Sequence, residues 1–85
     1  MKVLCWGKEQ REEIERIKFD DLQVGKLTRE IARDYFIKSE PSIILFDDKG
    51  HSVYESKGVF TPRETLKRII RNHKDGKKGW DLLEA

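Results

Sequence analysis

Cysteine occurs once in these 85 residues and proline twice. No apolar run approaches the twenty or so residues that a membrane-spanning helix needs. The lone Cys5 cannot close an internal disulfide, and a single thiol suits a reducing compartment. Histidine is also scarce. Neither His51 nor His73 has a second His or Cys at ligand spacing, so no metal site is expected. Charge of one sign is missing too: 18 Lys and Arg stand against 16 Asp and Glu, for a net charge of +2, and nothing announces a nucleic-acid partner. The opening Met1–Trp6 stretch is too short for a signal peptide, so a soluble, cytoplasmic protein without a membrane partner is the expectation.

Charged residues make up 40% of the chain and apolar ones 36%, but the apolar residues gather in short runs, which favours one compact domain over disorder. Lys2 to Trp6 reads as a first strand stopped by Gly7. Lys8 to Arg16, rich in Glu, Gln and Arg with Ile14 as a sparse anchor, reads as an exposed helix. Ile17-Lys18-Phe19-Asp20 alternates apolar and polar and suits a half-buried second strand. Leu27, Ile31 and Tyr35 recur every four residues after Gly25, with Ala32 beside them, and predict a second helix that ends before Pro41. Ser42 to Phe46 reads as a buried strand, Asp47-Asp48-Lys49-Gly50 as a hairpin turn, and His51 to Lys57 as the returning strand. Thr61, Pro62 and Glu64 carry the N-cap, first-turn and capping-box signals of a third helix, on which Leu66, Ile69, Ile70 and His73 share a face. Lys74 to Gly79 has the composition of a flexible basic linker, and Trp80 to Ala85 forms a short apolar-acidic tail beyond it. The expected domain therefore covers residues 1–73, with 74–85 as an appendage.

The order is β-α-β-α-β-β-α, with parallel pairing through crossovers first and an antiparallel hairpin at the end. With Glu40-Pro41-Ser42 ahead of the third strand and Ser56-Lys57-Gly58 ahead of the capped helix, the chain resembles the thioredoxin and glutaredoxin superfamily. The resemblance implies an α/β three-layer sandwich with a four-stranded mixed sheet. It implies that Pro41 is the family's cis-proline and Gly58 the glycine beside bound substrate.

One departure bears directly on chemistry. The family's Cys-x-x-Cys stands where the first strand hands over to the first helix, since a helix N-terminus stabilises a thiolate. Taking Trp6 as the aromatic that closes the strand puts that motif at Gln10-Arg11-Glu12-Glu13, which holds no thiol, and puts the family's buried acid at Leu4. Without nucleophile, resolving thiol and base, dithiol exchange has no route. Cys5 keeps two readings: a small buried hydrophobe in a central strand, or the thiol of a one-cysteine Cys5-Trp6-Gly7-Lys8 variant that Lys8 would activate and glutathione could cap.

Pro41 also keeps two readings: a remnant of the turn, or part of a working groove whose backbone pairs with an extended peptide. In the second, Trp6, Gly7, Pro41 and Gly58 line the groove, and Ser39 and Glu40 set its polarity. The function expected is a non-catalytic module binding a protein or extended peptide without a cofactor. The alternative is a one-thiol redox protein using Cys5. Lys74, Lys77, Lys78 and Trp80 suggest a solvated end before a phosphate contact, and Trp80, Leu82 and Leu83 suggest an anchor that docks on the domain or on a partner. Asp47 and Asp48 suit a turn before a cation site. The sequence specifies no oligomeric state.

Overall fold

Both central strands are apolar at nearly every position, the pattern of strands covered on two faces. In the computed structural model, which describes Met1–Ala85, the chain runs β1 (Lys2–Trp6), α1 (Lys8–Glu15), β2 (Gln23–Lys26), α2 (Arg29–Asp34), β3 (Ser42–Phe46), β4 (Ser52–Lys57), α3 (Arg63–Lys74) and a closing 3-10 turn over Gly79–Leu83. The sheet order is β2-β1-β3-β4, with β1 parallel to β2 and the other pairs antiparallel. This is a small α/β domain with a four-stranded mixed sheet and three helices.

Alternation along β1 and β3 splits the core. Val3, Cys5, Ile43 and Leu45 join Ile14 of α1 and Leu66, Ile69 and Ile70 of α3 on one face. Leu4 and Ile44 join Leu27, Ala32 and Ile37 on the other, beside α2. The apolar stripe expected on α3 is the face that this helix buries.

Four expectations need correction. The second strand is Gln23–Lys26, not Ile17–Asp20. Ile17 and Phe19 still pack on the core, but from an irregular segment, so their alternation reports burial without pairing. Gly25 lies inside β2 opposite Leu4, where an added Cβ would stand 3.0 Å from a Leu4 methyl. The glycine marks close approach of two strands, and α2 starts later, at an N-cap Thr28 whose hydroxyl accepts the Ile31 N–H at 3.2 Å.

At the entry to α3, Pro62 takes the N-cap position without a side-chain bond, and Thr61 is buried one residue earlier. Glu64 pairs with Lys67 at 3.7 Å and closes no capping box. The tail is not an appendage: α3 runs on to Lys74, and Leu82 is buried in the larger core cluster. The Asn72 amide donates to the carbonyls of Asp81, Leu82 and Glu84 at 3.4, 2.8 and 2.9 Å. Lys77 pairs with Glu84 at 3.0 Å, while Trp80 stays 88% exposed. No helix is long and apolar enough to cross a membrane.

Candidate functional site

Gly7 joins β1 to α1 at φ 105, a conformation that a side chain would strain. A Cβ there would touch the Cα and Cβ of Pro41 at 3.4 Å, so this turn and the proline are packed against each other. No side chain caps α1, whose first N–H groups point out of the turn unpaired; the ladder begins with Arg11 N–H to Gly7 O at 3.0 Å. The Glu40–Pro41 peptide is cis. Neither the N–H nor the C=O of Glu40 is hydrogen-bonded within the chain.

The helix mouth is thus Gly7–Lys8, three residues before the position inferred from Trp6. Gln10, expected at the mouth, lies in the first turn of α1 and is fully buried. Its Nε2 donates to Thr61 O at 3.0 Å and its Oε1 accepts the Thr61 N–H at 2.7 Å, stitching α1 to the entry of α3. Leu4 is buried on the α2 face.

Cys5 is 2% exposed and sits in β1, short of the mouth. Its S–H donates to Gly25 O at 3.7 Å. Burial pushes the thiol up from its ordinary value of 9.0, the Arg11 charge opposes that, and Glu15 adds to it. Lys8, the activating group of the one-thiol reading, is exposed and exerts none of these influences.

Glu40 is shared by three adjoining hollows. The first lies between Gly7, Pro41, Phe60 and the opening turn of α1. The second runs beneath Trp6, between Lys8, Arg11 and Lys26, with Cys5 in its lining. The third continues past Lys26 to Arg29, Lys38 and Ser39. Trp6 is held between the last two by its indole N–H, which donates to Leu27 O.

The sequence-derived residues Trp6, Gly7, Glu40 and Pro41 therefore meet, with Ser39 beside them. Gly58 stands behind: its N–H donates to Ser42 Oγ at 3.0 Å, and that hydroxyl donates to Ser39 O at 2.7 Å. A Cβ on Gly58 would fall 2.9 Å from Ser39 Oγ, so this glycine braces the segment and lines none of the three hollows.

Two aromatic residues went unread in the sequence. Phe60 walls the first hollow, and the apolar pair Val59-Phe60, which belongs to no periodic stripe, was its signal. Phe36 is 77% exposed at φ 60, with the Lys57 ammonium 6.0 Å from its ring centroid. Nothing in its local sequence marks that backbone, because bulky residues seldom adopt it.

Elsewhere, Asp47 accepts the N–H groups of Lys49 and His51 at 2.9 and 2.8 Å and closes the hairpin turn. Asp48 takes the chain's ammonium at 2.6 Å. His73 lies in the last turn of α3, and no three His, Cys, Asp or Glu side chains converge as a metal set. Compared with known proteins, the chain matches no family model, no curated protein and no solved structure.

Proposed function

We propose that this protein is a non-catalytic, thioredoxin-like binding module that takes an extended segment of a partner protein along its Glu40–Pro41 edge. The observation that carries the reading is the open backbone of Glu40 at the centre of the groove. A free N–H and C=O on one residue offer the pair of bonds by which an extended peptide adds to a sheet-like edge. Trp6 and Phe60 supply apolar contact on either side, and Ser42 holds the segment from behind through Ser39 and Gly58. The order β-α-β-α-β-β-α, the sheet order and the position of Pro41 support the thioredoxin-like reading.

The one-thiol reading, with Cys5, Lys8 and glutathione, has less support, because Cys5 is buried and its thiol is held neutral. A single reduced cysteine fits a cytoplasmic location. The test is panning of a phage-displayed library of random linear peptides, followed by amide chemical-shift mapping of the protein with the enriched peptides. Shifts centred on Gly7, Glu40 and Phe60, and a loss of affinity of about threefold to tenfold in Phe60→Ala, are expected. Cys5→Ala should bind like the parent. Failure to enrich any peptide, or shifts centred elsewhere, would refute the reading.

A further inference from the structure

The two hollows that flank Trp6 draw cations from four separate parts of the chain: Lys8 and Arg11 from α1, Lys26 from β2, Arg29 from α2, and Lys38 from the loop before Pro41. They hold five of the 18 basic residues and one of the 16 acidic ones, Glu40. The rest of the chain is therefore net acidic, and the positive charge is concentrated beside the open backbone. Arg11 is engaged by Glu15 at 2.7 Å, but Lys8, Lys26, Arg29 and Lys38 form no ion pair, and all four are exposed. Glu9 lies on the far side, at the Pro41–Phe60 hollow, so the field runs from mildly acidic there to basic past Trp6.

Folding alone does not call for this arrangement. Like charges gathered along one groove repel one another, and apart from Glu15 on Arg11 no carboxylate is paired with these five cations. A ligand that brings the carboxylates removes that repulsion on binding.

We infer that the groove's ligand is an acidic extended segment of a partner protein, whose backbone pairs with Glu40 and whose Asp and Glu side chains lie over Lys26, Lys38, Arg29 and Lys8. The inference rests on the peptide-groove reading and adds the chemistry of the ligand and its direction. The apolar residues of the segment face Pro41 and Phe60, and its acidic residues follow past Trp6. Exposed charges of this kind act mainly on encounter rate and salt dependence, and they select against basic partners.

The test uses the peptides enriched by panning. Their sequences should be net acidic, and changing their Asp and Glu to Asn and Gln should weaken binding by tenfold or more in a titration at low salt. The double charge reversal Lys26→Glu/Lys38→Glu, made at two exposed positions, should cost a similar factor for the acidic peptide and little for its amide counterpart. Raising the salt from about 50 to about 500 mM should erase most of the difference between the two peptides, since screening then acts within a few ångströms. Enriched peptides that map to the groove but are neutral or basic, or that ignore the charge reversal, would overturn the inference and leave the groove reading in place. Competition by a single-stranded oligonucleotide at equal strength would overturn it in favour of a general polyanion surface. If no peptide maps to the groove, the groove reading itself has failed.

Discussion

An amide with no exposure to water has to satisfy its oxygen and its nitrogen inside the protein, and Gln10 does both on a single residue, the backbone of Thr61. Replacing it with Ala leaves an N–H and a C=O of Thr61 buried and unpaired, each costing about 1–3 kcal/mol. Gln10→Ala should therefore lower unfolding free energy by about 3 kcal/mol in urea titrations. A loss below about 1 kcal/mol would mean that water replaces the amide. Gln10 was legible in principle: residues 10, 14 and 17 form an i, i+4, i+7 stripe, and a polar residue on it signals a buried bond. Phe36 offers the opposite case, a large side chain exposed on a backbone at φ 60 that costs a non-glycine residue about 1 kcal/mol or more. Phe36→Gly should raise stability by up to about 1 kcal/mol, because the ring has only the exposed Lys57 contact to lose. If Phe36 belongs to the partner interface, the same change weakens peptide binding. A stability gain with unchanged affinity places it outside that interface, and a stability loss contradicts the strain.

At the scale of elements, legibility followed the range of the forces involved. The strand Ser42–Phe46, its hairpin and the stripe of α3 are set by local alternation, turn residues and helical period, and all could be read. The second strand could not, because Gly25 is explained only by the Leu4 methyl opposite it on another strand. The tail likewise has linker composition up to Gly79, and what fixes it is one distant amide and one leucine. Asn72 holds three carbonyls of the closing turn, and Leu82 fills the core beneath it. Leu82→Ala should cost about 2–4 kcal/mol and Asn72→Ala about 2 kcal/mol, whereas Trp80→Ala, at an exposed position, should stay within about 0.5 kcal/mol. Thermal or urea unfolding of the three variants checks the ranking. Equal, small effects would return residues 79–85 to the status of an unattached tail.

For the whole molecule, the hollows around Glu40 were only half legible. Pro41, Glu40, Trp6 and Gly7 could be named together through the family resemblance, but the basic field could not, since its members are spread from Lys8 to Lys38 and a net charge of +2 hides them. Titration gives a global test of the chemistry assigned to Cys5. Asp21, Asp47 and Glu84 are lowered chiefly by hydrogen bonds from Lys74, the His51 backbone and Lys77, respectively. Their contribution to stability is present above the unfolded carboxylate range near pH 4 and is lost below it, as pH falls through the lowered folded values. Cys5 runs the other way. Its folded value is raised by burial, so its contribution is complete below 9.0 and is lost as pH rises from there through the folded value. The difference in unfolding free energy between the parent and Cys5→Ala should accordingly be flat through neutral pH and shrink above 9.0. Ultraviolet thiolate absorbance of the folded protein should appear only on that alkaline side. A thiolate already present at neutral pH would show that Cys5 is an accessible nucleophile, and the one-thiol reading would then displace the non-catalytic one.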